Sequence, residues 1–156
     1  MVDLNDVFQP NAAHERDRLS VPALLLAPAV LRIVITGKDI ETELDALVTA
    51  VAILQGSDGF MRRFIYEMAE SLAQEVEEAG IRGLAAAVET RLDPEEAAMA
   101  FQIALVAVHS SPLGDDGDIG VLSAIAERTG MSEDQFAAAF DSARNAVASS
   151  DRKSVV

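Results

Sequence analysis

The chain has 156 residues, with 12 Lys+Arg against 26 Asp+Glu for a formal net charge of −14. Half of the residues are apolar, which fits one domain with a real core rather than a disordered acidic tail, while the acidic balance makes nucleic acid and anionic membrane surfaces poor partners. With no Cys and only two His, disulfides, thiolate metal sites, Cys nucleophiles and most His-based zinc or iron sites are excluded.

Ala fills 27 positions and aromatic residues are few, so helix is favoured over sheet. Residues 1–20 read as a polar N-terminal segment, partly frayed, with His14 solvated. The most apolar stretch, Val21 to Ile35, is too short to span roughly 30 Å of hydrocarbon as a helix. It also follows a mixed-charge segment, unlike a signal peptide. It reads as a buried core helix of a cytoplasmic protein, with Pro22 in its first turn and Pro28 kinking or restarting it. Within it, Val30–Ile35 suits a strand equally by composition, but no second strand exists to pair with it, so helix is preferred.

Leu44, Leu47, Val48, Val51 and Leu54 then mark an amphipathic helix over 41–55, closed by Gly56-Ser57-Asp58-Gly59. Phe60, Phe64, Met68, Leu72 and Val76 carry the next helix to Gly80, and a short one follows from Ile81 to Leu92. Asp93-Pro94-Glu95-Glu96 is a strong helix start, with an N-cap, a proline in the first turn and acids facing the positive helix end. From Ala97 to Val108 only Gln102 is polar, so that helix is expected to be buried nearly all round, with Phe101, Leu105 and Val108 in the core. Ser110 to Gly117 is a loop. Ile119, Leu122, Ile125 and Ala126 form the next stripe, closed by Gly130. Ser132 and Gln135 resemble a capping box, and Phe136, Phe140, Ala143 and Val147 give the last stripe before a flexible tail over 149–156.

The two halves resemble each other. LVTAVAILQG (Leu47–Gly56) and VLSAIAERTG (Val121–Gly130) lie 74 residues apart, with Ala50/Ala124, Ala52/Ala126 and Gly56/Gly130 identical. Phe60 and Phe64 are matched soon afterwards by Phe136 and Phe140. Each copy follows an apolar helix and a polar loop, which predicts two helix-hairpin units about a pseudo-twofold axis.

The second unit, IALVAVHSSPLGDDGDIGVLSAIAERTGMSEDQF, resembles the repeat of the TerB-like tellurite-resistance family: an apolar helix, an acidic loop, an amphipathic helix ending in Gly, then a short cap and a Phe. The first unit, AVLRIVITGKDIETELDALVTAVAILQG, is similar more faintly, and the likeness spans 22–147. It implies an all-α single domain of about seven helices over 21–148, with two acidic loops that hold divalent metal, and an association with stress responses. The chain departs from the pattern at both loops. Ser111-Pro112 stands where the family has Asp-Gly, although Asp115, Asp116 and Asp118 follow it. In the first loop Lys38-Asp39 takes that place, with Glu41 and Glu43 behind, and a Lys there argues against a bound cation.

Asp115-Asp116-Gly117-Asp118 is therefore the candidate metal site, with Asp115, Asp116 and Asp118 as ligands for a hard cation such as calcium. The competing reading is that acids at a helix N-terminus simply cap it and complement its dipole. An EF-hand fails, because Val121 takes the position that needs Gly. His109, at the end of the buried helix, reads as serving the dipole or a backbone contact. Arg62 or Arg63 can pair with Glu67, Glu75, Glu77 and Glu78 read as a solvated face, and Met61, Met68, Met99 and Met131 read as core filling. There is no phosphate loop and no Ser-His-Asp arrangement.

These residues predict a non-enzymatic helical protein that binds another protein or a second copy of itself, in the stress-response or envelope-linked setting that the resemblance implies. No cofactor is called for beyond a weakly bound divalent cation. Val21 to Ile35 is the expected docking region, because its apolar residues exceed what one amphipathic face needs. The alternative is a divalent-cation binding or sensing protein built on the 115–118 loop.

Overall fold

Residues 21–56 and 59–154 are described by a computed structural model of the chain. The expectations for 1–20, including His14, lie outside the described residues. Those residues form seven helices and no strand: α1 (Val21–Thr36), α2 (Ile40–Gln55), α3 (Gly59–Ala79), α4 (Arg82–Arg91), α5 (Pro94–Ser110), α6 (Asp116–Arg128) and α7 (Glu133–Ser154). No helix among them is long and apolar enough to cross a membrane.

The helix starts follow from their caps. Asp93 accepts from the Glu96 N–H while Glu96 reaches back to the Asp93 N–H, a reciprocal box that starts α5 with Pro94 in its first turn. Ser132 and Gln135 make the same exchange before α7, and Asp39 caps α2 through the N–H and hydroxyl of Thr42. Gly56 and Gly130, the matched glycines of the two halves, both adopt positive φ at helix ends, where a side chain would be strained.

The two most apolar helices, α1 and α5, pack against each other at the centre. The others surround them: α3 and α6 lie on α1, α7 and α2 on α5, with α4 also against α1. Phe101, Leu105 and Val108 are buried as expected. Truncating a side chain such as Leu105 to Ala would cost about 2–5 kcal/mol.

Four expectations change. Pro28 does not restart a helix, because α1 runs unbroken through it. An internal proline costs roughly 3 kcal/mol, outweighed by the burial of Leu24, Leu26, Ala27, Val30, Leu31 and Ile33 around it. The same burial removes most of Val21–Ile35 as a docking surface, since its buried apolar residues from Ala23 to Ile33 face α3, α4, α5 and α6 rather than solvent, while Ile35 at its end stays exposed. Met61 and Met99 are exposed, not core, while Met68 and Met131 pack partly against it. At the other end of the chain α7 continues past Ser149 to Ser154, as one helix.

Candidate functional site

Arg32 is the only charged residue of α1, and it lies inside that helix's buried stretch. An unpaired charge there would be prohibitive, so partners must come to it. Glu43 arrives from the first turn of α2 and Asp118 from the first turn of α6; all three side chains are fully buried. Arg32 Nη1 donates to Glu43 Oε2 and, at 3.4 Å, to Asp118 Oδ1. Ser111 Oγ donates to the other Glu43 oxygen at 2.8 Å and accepts from the Leu113 N–H at 3.1 Å. Arg32 Nε and Nη2 have no hydrogen-bond partner among the described residues.

Lys38 completes the cluster from the loop between α1 and α2. Its ammonium donates to Asp118 Oδ2 at 2.5 Å and to the Leu113 carbonyl at 2.6 Å, and it lies 3.1 Å from Asp115 Oδ2. Three oxygens of the second loop thus converge on the one cation that the first loop supplies. The hydrogen bond to Asp118 holds the Lys38 pKa above its ordinary value, with Asp115 adding to the effect and partial burial opposing it. Reciprocally, the Lys38 hydrogen bond and the Asp118 N–H hold Asp115 below the usual carboxylate range.

Asp115 and Asp118 also form a third reciprocal box, each carboxylate accepting from the other's backbone N–H, which starts α6. Both readings of this loop therefore meet in the same residues: the acids do cap the helix, and they do gather round a cation, which is Lys38. Asp116 is exposed and stands outside the network. Among the described residues no group of three or more His, Cys, Asp or Glu is arranged to hold a metal. The loop is held against the end of α5 by Gly114, where an added Cβ would lie 2.1 Å from the Val108 carbonyl oxygen.

The sequence points to Asp115 and Asp118 but not to Arg32, Glu43 and Ser111. A signal for Arg32 existed, as a single charge in an otherwise apolar helix needs a buried partner. Glu43 and Ser111 carried none of their own, because their roles depend on pairings 11 and 68 residues apart. Of the two roles expected of His109, the one at the helix dipole is not favoured. Its Nε2 is buried without a hydrogen-bond partner among the described residues, and its ring meets the Phe140 ring edge-on at 5.0 Å. Burial, and secondarily the charge of Arg144, hold its pKa below the ordinary value, so the neutral form is favoured and the helix dipole gains no cation.

Compared with known proteins, the chain matches no protein-family model, no curated protein and no solved structure.

Proposed function

We propose that the chain is a non-enzymatic, TerB-like interaction module whose acidic loop is ordered by its own lysine in place of a bound metal. The observation that carries this reading is the triple contact of the Lys38 ammonium with Leu113, Asp115 and Asp118. With Arg32 on its other side, Asp118 has both its oxygens engaged by protein cations. The non-enzymatic part is supported by His109, the one histidine among the described residues, whose ring packs against Phe140.

The pseudo-twofold arrangement of two helix-hairpin units is part of the same proposal. In its favour, α1 and α5 end 74 residues apart, and α3 and α7 begin 74 residues apart. The packing also has matching pairs: α3 lies on α1 as α7 lies on α5, and α6 lies on α1 as α2 lies on α5.

The docking surface moves from α1 to the end of the bundle where the two loops meet. There Ile35 and Leu113 are 44% and 40% exposed, flanking the Lys38 bridge, with Pro112 and the acids Asp39, Asp115 and Asp116 also exposed. An apolar spot edged by carboxylates on a rigid base suits another protein with basic residues around an apolar anchor, or a second copy docking by its apolar residues. The stress-response or envelope-linked setting and the cytoplasmic location come from the sequence reading.

The second reading, a divalent-cation binder, draws on the same triple contact, since three oxygens within hydrogen-bonding range of one point are what a hard cation needs to begin a site. Calorimetric titration of the full chain with calcium, magnesium and manganese separates the two. No heat and no shift in melting temperature are expected, or binding no tighter than about millimolar. A micromolar site lost in Asp115→Asn/Asp118→Asn would put the cation reading first.

A further inference from the structure

Among the described residues, a groove lies open between the start of α1 and the outer face of α3. It has a volume of about 370 Å3 and is lined by Ala23, Phe64, Met68 and Leu72, with Glu67 and Glu75 on its rim. Phe64 is 47% exposed, a large aromatic surface left in water. We propose that this groove is the docking site of the chain's own residues 1–20, held there by Leu4, Val7 and Phe8.

Several observations name this occupant over others. The chain enters α1 at Val21, and Ala23, two residues further on, is already part of the groove. Phe8 lies 13 residues before Val21, a span that reaches up to about 40 Å when extended, so the groove is within easy reach. A tether this short gives an effective concentration in the millimolar range, which lets a few apolar contacts suffice. Leu4, Val7 and Phe8 are spaced to share one face of a helical turn, and Pro10 ends that stretch. The inference is independent of the loop reading above, since it concerns a different surface.

The chain has no Trp, so Phe8→Trp in the full-length protein is a single reporter. Its emission is expected to be blue-shifted and shielded from acrylamide, and unchanged on dilution. Phe64→Glu, and separately Ser71→Lys on the exposed rim, should return the emission to that of a solvated Trp while the helical circular-dichroism signal is kept. Two substitutions at exposed positions guard against loss of the fold in either one. Trypsin should also cut after Arg16 and Arg18 faster in those variants. A solvated Trp in the parent background would overturn the proposal. So would a blue shift that appears only at high protein concentration, which would assign the groove to a second copy.

Discussion

Replacing Arg32 by Met separates the value of the buried charge cluster from the value of apolar packing. Arg32→Met leaves Glu43, fully buried, with Ser111 Oγ as its remaining hydrogen-bond partner, while Asp118 keeps Lys38 and the Asp115 N–H. Breaking a buried pair on one side costs about 3–5 kcal/mol, because the surviving charge has lost its compensation. A domain of this size has roughly 5–15 kcal/mol in total, so the variant should be folded but much weakened. In urea, with a slope near 2 kcal/mol/M, the midpoint should fall by roughly 2 M. Glu43→Leu alone should cost a similar amount, since it leaves the buried Arg32 with only the 3.4 Å contact to Asp118.

The double variant Arg32→Met/Glu43→Leu is the informative one. It removes Arg32 and Glu43 from the interior, leaving Asp118 held by Lys38 and the Asp115 N–H, and with Arg32 go the two guanidinium nitrogens that have no hydrogen-bond partner among the described residues, a defect of about 1–3 kcal/mol for each group. Its stability should return to within about 1 kcal/mol of the parent, or exceed it. The measurement is a double-mutant cycle from equilibrium urea unfolding, followed by circular dichroism at neutral pH. The reasoning is refuted if either single variant costs less than about 1 kcal/mol, or if the double variant costs the sum of the two.

Gly114→Ala should destabilise by about 1–3 kcal/mol, because its Cβ would meet the backbone oxygen of Val108 and the loop must move; an unchanged thermal melt would mean the loop is not seated against α5. His109 has a folded pKa below its ordinary value, so protons favour the unfolded chain. The stability this contributes is complete above about pH 6.5 and is lost as pH falls through the folded pKa, and His109→Phe should flatten that part of the melting-temperature profile; a profile with the same slope would assign the dependence to other groups. Lys38→Met should lower the melting temperature in chelator and regain part of the loss in millimolar calcium, whereas the parent should not respond. Equal calcium responses in both would mean that Lys38 is not what fills the loop.

The helices were legible because their signals are local. Asp93-Pro94-Glu95-Glu96 is complete within four residues, and Ser132 with Gln135 within another four, so caps and starts need no knowledge of the rest of the chain. Burial was legible where the whole surface of a helix is apolar, as along Ile103–Val108. It failed for Met61 and Met99, whose residue type says nothing about which side of the helix is covered. The fate of α1 shows the limit from the other direction. Its apolar excess was visible, but not that four helices would surround it and convert a supposed docking face into the centre of the core. The charge cluster was least legible. Asp115 and Asp118 announce a loop with excess carboxylate, while Arg32 and Lys38 come to them only because α1 and α6 pack side by side, 80 or more residues apart in sequence.

The cycle built on Arg32 is expected to assign the buried ions little net stability, which leaves position as what they provide. Arg32 fixes where α2 and α6 begin relative to α1, and Lys38 fixes the turn before α6 against the turn before α2. A slipped helix would strand a buried charge, so wrong registers are penalised more than the right one is favoured. A bound divalent ion would hold the same loop, but only in proportion to its free concentration, with a stabilisation that grows as RT ln(1 + [L]/Kd). A lysine attached to the neighbouring loop has no such dependence. On the reading proposed here, the face carrying Ile35 and Leu113 therefore keeps its shape whether divalent ions are scarce or plentiful. Binding of a partner to that face should then be insensitive to calcium or chelator, and weakened by monovalent salt through its exposed carboxylates. A partner interaction that required calcium would return the loop to the role of a sensor.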